Sequence, residues 1–275
     1  MALVLSLISA LSYGISDFLG GIFAKRASAW QVAVVGQASS GACTLALAIF
    51  VGGDPKGSDF AWGVLAGLGA GFGTAFLYRG LSSARMGVVA PLSAIGTALL
   101  PVAVGLGLGD RPAVIAAIGI VCAFPAIALI SRVDDADAAH RGGVLDGSLA
   151  GLGFGLLFVC LGQMTHDAGL YPLALTQATS VLGVIITATV MHQTWVPRMR
   201  ASWWALTMGP LSAAATSTFL YATHHGLLSV VSVISSLYPA STVLLAALVL
   251  RERVQPWQGL GLALAATAVT LVALG

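Results

Sequence analysis

Charged residues are scarce in this sequence: only 8% of its 275 residues are Asp, Glu, Lys or Arg, against roughly 25% in soluble domains. Hydrophobic residues make up 58%, which is more apolar surface than a soluble core of this length could bury. Long polar linkers are lacking too, since the longest polar connection is residues 131–143. The composition therefore excludes a soluble domain and predicts a polytopic membrane protein surrounded by membrane lipids.

Cysteines and catalytic motifs are equally few. Cys43, Cys122 and Cys160 all lie in apolar runs, where they act as small hydrophobic residues rather than disulfide partners or metal ligands. The chain has no Walker A, HExxH or Gly-x-Ser-x-Gly sequence. Its net charge of +2 is spread between the apolar runs and does not point to nucleic acid. We therefore expect no cofactor, no metal, no ATP-driven step and no enzyme activity.

Ten apolar runs, each of about 20 residues, are bounded by charged residues, Gly, Pro or Trp, and each is long enough to cross a bilayer as a helix. The predicted spans are residues 3–24, 30–51, 60–83, 86–108, 113–131, 144–165, 171–191, 203–224, 228–250 and 257–274. The predicted fold class is therefore all-α, with ten transmembrane helices.

Basic residues are unevenly divided between the two sides of this ten-span arrangement. Only Lys56 and Arg111 fall on one side, and the other ten of the twelve fall on the opposite side. Because loops rich in Lys and Arg stay in the cytoplasm, the richer side is predicted to be cytoplasmic. The even span count then places both termini outside, in a multi-pass protein of the cell (inner) membrane.

The two halves of the chain resemble each other at an offset of about 140 residues. Residues 37–40 (Gln-Ala-Ser-Ser) return as 177–180 (Gln-Ala-Thr-Ser), and residues 74–78 (Thr-Ala-Phe-Leu-Tyr) return as 217–221 (Ser-Thr-Phe-Leu-Tyr). We predict a first five-helix repeat at 1–131, a linker at 132–143 and a second repeat at 144–275. Five is odd, so the second repeat is inverted, and a site between the halves can face each side in turn.

Each half ends in a Pro-containing helix, a short charged hinge and a Gly/Ala-rich closing helix. This pattern covers the whole chain and resembles the drug/metabolite transporter superfamily of the EamA type, most specifically at residues 237–271. The first half differs, since it has Gly-Asp-Arg-Pro at 109–112 where such hinges more often carry Gly-Glu-Arg. Members often have cytoplasmic termini, unlike the orientation that the basic residues predict. Among relatives, the chain is most similar to YddG-type exporters of aromatic and neutral amino acids.

Asp17 is the only carboxylate placed well inside an apolar run. It shares one face of the first span with Ser9, Tyr13 and Ser16. A carboxylate in a membrane span is expected to bind a cation or a substrate ammonium group, or to carry a coupling proton. The alternative is a structural partner for Lys25 or Arg26.

Other polar side chains within the spans should face either a cavity or another helix, because polar groups are costly in lipid. Tyr78 and Tyr221 offer stacking surfaces, and Gln37 and Gln177 could bind a zwitterion, although all four could instead join helices. The predicted substrate-binding residues are Tyr13, Asp17, Gln37, Thr74, Tyr78, Ser82, Ser93, Gln163, Gln177, Ser217, Tyr221, His225, Ser232, Ser235 and Tyr238.

Spans five and ten have hardly any polar group. Gly119 with Ala123, and Gly261 with Ala265, form faces of small residues that favour close helix contact. We expect these faces to pack against each other or against a second copy, so the chain could be a monomer or a homodimer.

The residues and the resemblance together predict a secondary transporter. Its first predicted activity is export of amino acids, or transport of another small neutral or zwitterionic metabolite, by alternating access at a cavity between the repeats. An alternative is a multidrug efflux carrier that binds lipophilic cations at Asp17. A remote third is an intramembrane hydrolase that uses Ser40 or Ser217 with His225, which the repeat disfavours because a catalytic dyad needs asymmetry.

Overall fold

The apolar runs are helical in the computed structural model, and the described residues form no β-strand. The structure describes residues 1–24, 26–82, 86–130, 132, 141–251 and 254–275; at 78, 80–82, 86–88, 90, 91 and 141–143 it describes the backbone alone. Helices form because lipid offers no hydrogen-bond partners to the backbone. The helices are α1 (Ala2–Ala24), α2 (Ala29–Val51), α3 (Gly57–Ser82), α4 (Met86–Leu108), α5 (Val114–Ile130), α6 (Arg141–Leu161), α7 (Tyr171–Val190), α8 (Met208–Thr223), α9 (Leu228–Ser235), α10 (Tyr238–Val249) and α11 (Pro256–Leu274).

Across the described part of the chain, these helices make ten membrane-crossing segments, the predicted number. Seven are long and apolar enough to span a membrane on their own: α1, α2, α3, α6, α7, α9 with α10, and α11. Shorter apolar stretches lie in α4 and α5, and α8 is the tenth segment. The chain is therefore an all-α polytopic membrane protein.

Two of the predicted spans are not continuous α-helices. The eighth begins as a 3₁₀ helix, Arg200–Thr207, and Pro210 lies in the first turn of α8. The ninth is interrupted at Ser236 and Leu237, and Pro239 lies in the first turn of α10. In the first turn of a helix a missing N–H removes no hydrogen bond of that helix. These two prolines therefore mark the starts of helices rather than kinks within them.

The helices of the two halves are interleaved with twofold regularity. α3 packs against α6 just as α1 packs against α8, and α4 packs against α6 just as α1 packs against α10. α2 packs against α7 and α5 against α11, which are pairs of corresponding helices. Exchange of the halves leaves these contacts unchanged, as expected for inverted repeats. The exact boundaries at 131 and 143 stay a prediction, since residues 133–140 lie outside the described chain.

Glycines allow the closest of these helix contacts. A Cβ atom at Gly153 of α6 would lie 2.6 Å from the carbonyl oxygen of Gly69 and 2.6 Å from the amide nitrogen of Gly73, both on α3. A Cβ at Gly71 would lie 2.7 Å from the carbonyl oxygen of Ser180 on α7. In lipid, where apolar surfaces gain little by associating, such close backbone packing is what holds helices together. α3 is therefore fixed between two helices of the other half.

The small-residue faces of α5 and α11 pack against each other within the chain. Gly119 lies against Ala268 and Val272, and Gly261 lies against Ile130. Ile130, Ala268 and Val272 belong to one apolar cluster that also includes residues of α4 and α9. This is the first of the two contacts predicted for these faces, and a homodimer stays a prediction.

The two ends of the bundle carry different charge. One end, here named the basic end, brings the α1–α2 and α7–α8 connections together, where the Ser28 hydroxyl donates to the Thr194 carbonyl at 3.4 Å. The described basic residues at that end include Arg26, Arg132, Arg198, Arg200 and Arg251. The other end, here named the terminal end, holds both termini together with Lys56 and Arg111. The predicted division of basic residues between two sides therefore matches the topology of the helices.

A buried carboxylate joins the halves at the terminal end. Asp59, in the first turn of α3, accepts hydrogen bonds from the Lys56 amide at 2.8 Å, the Thr165 amide at 2.8 Å and the Thr165 hydroxyl at 2.9 Å. A second carboxylate, Asp110, accepts the amide of Ser229 at 2.8 Å, at the start of α9. In both cases an acid of the first half binds backbone of the second half. These bonds close the bundle at the terminal end.

Replacement of Asp59 by alanine is expected to destabilise the protein by about 3 kcal/mol, because hydrogen bonds to charged groups contribute about 1.5–3 kcal/mol each and two amides would lose their acceptor. The melting temperature of purified protein in detergent measures this. Asp54→Ala is the matched control, because the exposed Asp54 side chain on the same loop accepts no hydrogen bond from the described residues. Equal melting temperatures for the two variants would contradict the role of Asp59.

Candidate functional site

A cavity lies between the two halves, in the middle of the bundle and towards the basic end. Both halves line it, through α1–α4 on one side and α6–α8 and α10 on the other. Among its lining residues are Tyr13, Ser16, Asp17, Gly36, Gln37, Thr74, Leu77, Thr97, Phe154, Leu157, Phe158, Thr176, Gln177, Met208, Ser212, Thr216 and Tyr238. None of the lining residues belongs to α5, α9 or α11. Helices α5, α9 and α11 therefore support the site from outside, and the other helices line it.

Asp17 is the only charged residue among those that line the cavity. The opposite face of α1 is apolar and exposed, with Ile8 and Leu11 directed outward, so α1 turns its polar face inward. The Asp17 side chain is open to the cavity and forms no hydrogen bond or ion pair with any described residue. The structure therefore contains no pair of Asp17 with Arg26, and Lys25, the other predicted partner, lies outside the described residues. A carboxylate without a partner among the described residues is available to a cation in the cavity.

Aromatic rings form a wall beside this carboxylate. The Tyr13 ring lies 6.1 Å from the ring of Phe158 and 6.3 Å from that of Tyr238, measured between centroids. Phe158 in turn stacks on Phe219 at 4.0 Å with an angle of 22° between the planes. Aromatic faces carry negative potential and pack well against apolar or cationic groups. The wall thus joins helices α1, α6, α8 and α10 around one apolar surface.

Neutral polar groups line much of the remaining cavity. The Gln177 amide is 3.4 Å from the Thr216 hydroxyl, and that hydroxyl donates to the Ser212 carbonyl at 2.9 Å. Gln37 is half-buried, and its amide has no hydrogen-bond partner among the described residues. Thr74 is buried at the cavity edge. An amide can both donate and accept, so these groups can bind either an anionic or a neutral polar group.

The structure brings together Tyr13, Asp17, Gln37, Thr74, Gln177 and Tyr238 from the predicted set. The side chains of Tyr78 and Ser82 lie outside the described part of the chain, so their role stays a prediction. Seven others are absent from the cavity lining, namely Ser93, Gln163, Ser217, Tyr221, His225, Ser232 and Ser235. Ser93, Ser217, Ser232 and Ser235 are buried between helices.

The remaining three lie at the terminal end. Gln163 is in the turn that follows α6. Tyr221 packs edge-on against His224 at 6.2 Å, and His225 bonds through Nδ1 to the Tyr221 carbonyl at 3.0 Å. Ser217 lies two turns before His225, about 12 Å along the helix axis. No hydrogen bond joins His225 to Ser40 or Ser217, so the described residues contain no Ser–His dyad.

Several residues that line the cavity were not predicted from the sequence. Phe154 and Phe158 are spaced by four on α6, a pattern that places both rings on one helix face and that would have identified them. Thr176 and Thr216 each lie one position before a predicted residue, Gln177 and Ser217 respectively. Successive residues of an α-helix point about 100° apart, so the sequence alone does not show which of two neighbours faces the cavity. Met208 lines the cavity from the first turn of α8, where the sequence predicted a continuous helix.

A ten-span bundle whose two interleaved halves enclose a polar cavity is the architecture of a membrane transporter. Residues 141–274, from the first residue of α6 to the last of α11, match the model of the EamA-like transporter family. The second half of the chain therefore matches that family, and this match identifies the protein as a membrane transporter of small solutes. The resemblance to the EamA type within the drug/metabolite transporter superfamily is confirmed.

Comparison with solved structures supports the fold of the whole chain. Sixteen chains match, and one of them, titled "Crystal structure of protein", has a TM-score of 0.77 over 99% of this chain and 98% of its own. Its sequence identity is 16%, so this likeness concerns the fold alone. No curated protein matches this sequence.

Proposed function

We propose that the protein exports small amine-bearing metabolites, and zwitterionic amino acids first of all, by alternating access of the central cavity. The observation that supports this most directly is Asp17, a carboxylate that opens into a cavity whose described lining contains no other charge. A charge at this depth in a membrane that has no partner among the described residues is expected to serve the substrate or a coupling ion.

The ammonium group of the substrate is proposed to bind Asp17. Between membrane helices a charge pair is poorly screened, so the gain from pairing is larger than in water. A substrate without a positive charge would leave Asp17 unpaired and would bind weakly. The carboxylate of an amino acid would then bind neutral donors, the amide of Gln37 being the most available because it has no described protein partner.

The side chain of the substrate is proposed to pack on the aromatic wall of Tyr13, Phe158 and Tyr238. Such a surface favours aromatic and other large apolar side chains over small polar ones. This preference is the finer part of the proposal, in line with export of aromatic and neutral amino acids.

A second candidate is efflux of lipophilic organic cations through the same cavity. The observation that favours it is the position of the Tyr13 ring between Phe158 and Tyr238, in the turn of α1 before Asp17. A cation held by a carboxylate can also gain from aromatic faces by cation–π attraction. No cationic side chain lines the described cavity, so nothing there pairs with the carboxylate of a zwitterion. A cation without a carboxylate of its own pairs with Asp17 and leaves no negative charge unpaired.

The direction of transport is proposed from the two ends of the bundle. We assign the basic end to the cytoplasm and both termini to the outside of the inner membrane, following the excess of Arg and Lys at that end. Asp17 lies nearer the basic end of α1, and Ala33 of α2 lies one turn from that end. With the terminal end closed by Asp59 and Asp110, the cavity is proposed to load from the cytoplasm.

Purified protein in liposomes tests the proposal. Vesicles are loaded in turn with labelled phenylalanine, leucine, a nucleoside and a lipophilic cation, with and without a pH gradient, and release is measured. We expect release of both amino acids at least about tenfold faster than from empty-lipid controls, with the aromatic one preferred. Release of the cation without either amino acid would overturn amino acid export in favour of the second candidate. Release of the nucleoside alone would overturn both candidates.

A further inference from the structure

The interruption between α9 and α10 leaves three backbone carbonyls without their helical donors. Pro239 has no N–H, so the carbonyl of Ser235 has no donor four residues on. The Leu237 amide donates to Ile234 at 3.1 Å instead of Val233, and the Ala240 amide donates to Leu237 at 2.9 Å instead of Ser236. The oxygens of Val233, Ser235 and Ser236 therefore accept no hydrogen bond from the described residues.

Three serine hydroxyls at the same interruption are also unpartnered. Ser232, Ser235 and Ser236 are fully buried, and none of their hydroxyls has a hydrogen-bond partner among the described residues. Six oxygens in the five residues 232–236 thus lack partners among the described residues, about 12 Å into the membrane counted along α9. Buried polar groups without partners are costly, and a cluster of them in one place is where a bound ion or water would satisfy several at once.

We propose that this interruption binds a monovalent alkali-metal cation, Na⁺. All six groups are neutral oxygens, the ligands that hard cations prefer, and no carboxylate is among them to balance a divalent ion. The carboxyl end of α9 points at the interruption, and the partial negative charge of a helix end favours a cation. The segment stays close to helical, with Ser236 at φ −73° and ψ −3°, so the break lies in the hydrogen bonds and not in the path of the chain. Carbonyls freed where a membrane helix is interrupted are an established way for transport proteins to bind Na⁺.

The site adjoins the substrate cavity without lining it. Tyr238 follows the interruption directly and lines the cavity. α10 is bound to α1 by the hydroxyls of Ser241 and Thr242, which donate to the carbonyls of Ala10 at 3.4 Å and Gly14 at 3.2 Å. Asp17 lies in the turn of α1 that follows Gly14. A bound cation therefore orders the segment that holds both Tyr238 and Asp17, which couples cation binding to the proposed substrate site.

Melting temperature and binding of labelled Na⁺ test the site in the absence of substrate, so the result is separate from that for the proposed function. In detergent, we expect the melting temperature to rise and saturate with NaCl at constant ionic strength, with choline chloride as replacement. K⁺ and Li⁺ arms report selectivity, and a rise with either also supports an alkali-metal site. Equal melting temperatures in all salts, with no bound label, would mean that the six oxygens hold water and would overturn the proposal.

Variants locate the site. Ser236→Ala and the double variant with Ser232→Ala should weaken Na⁺ binding at least about tenfold, equal to the loss of one such ligand interaction. Ser180→Ala is the matched control, because its hydroxyl is buried and unpartnered on α7, away from the interruption. The control should bind Na⁺ as the wild type does. Unchanged binding in the Ser236 and double variants would rule out this location, and the wild-type measurement stands even if a variant does not fold.

Discussion

Asparagine at position 17 is expected to lower transport of amine-bearing substrates at least about 30-fold, with protein yield and melting temperature unchanged. Removal of one partner from a desolvated charge pair costs about 2–5 kcal/mol, and each 1.4 kcal/mol is tenfold. Asn has nearly the same size as Asp, and Asp17 bonds to no described residue, so we expect its charge to contribute to substrate binding rather than to the fold. Initial rates of labelled phenylalanine release from liposomes measure the effect.

Two further variants distinguish loss of the Asp17 charge from a structural effect of the substitution. Asp17→Glu keeps the charge and should retain a measurable part of the transport rate, whereas a residue with a purely structural role would tolerate the longer side chain worse than Asn. Asp54→Asn removes an exposed carboxylate at the terminal end and should transport normally. Wild-type rates in Asp17→Asn for every substrate would remove Asp17 from both proposed functions.

Leucine at Gly153 is expected to prevent assembly of the bundle. Even the Cβ atom would lie 2.6 Å from two backbone atoms of α3, and backbone cannot rotate away as a side chain can. Overpacking usually costs about 1–3 kcal/mol, and here the whole α3–α6 contact must open, so we expect at least about 3 kcal/mol. The measurement is the monodisperse fraction after detergent extraction, together with its melting temperature.

Gly259→Leu is the control for that substitution. Gly259 lies in the first turns of α11, is exposed, and no atom lies within 4 Å of a Cβ built there. Leucine also forms helices better than glycine, so this variant should be at least as stable as the wild type. A monodisperse Gly153→Leu protein with the wild-type melting temperature would show that α3 and α6 are not in close contact.

Much of the fold follows from the sequence because lipid imposes a simple rule. A run long enough to cross the bilayer must be helical, so the limits of α2 and α4 agree with prediction to within a residue. The distribution of Arg and Lys correctly predicted which connections lie together at the basic end and which lie at the terminal end. The interruption at Ser236 and the 3₁₀ turn before α8 were not predicted, because Pro is common in membrane helices and does not by itself mark a break.

The site was less predictable, for a physical reason. In lipid a polar side chain faces either a cavity or another helix, and periodicity gives the face of a helix without giving its neighbour. Asp17 and Tyr13 share the cavity face of α1, whereas Ser232 and Ser235 share a buried face of α9 that the cavity does not reach. The aromatic wall brings together rings from four helices, which no local pattern could reveal.

The interleaving of the halves also bears on biosynthesis. Helices enter the membrane in chain order, yet the glycine-mediated contacts of α3 are with α6 and α7, and the most extensive contact of α5 is with α11. Until the second half is inserted, the small-residue faces of α3 and α5 therefore remain exposed to lipid. A ribosome that stalls before α11 would leave a bundle with α5 unpaired, recognisable to membrane quality control by its exposed small-residue face.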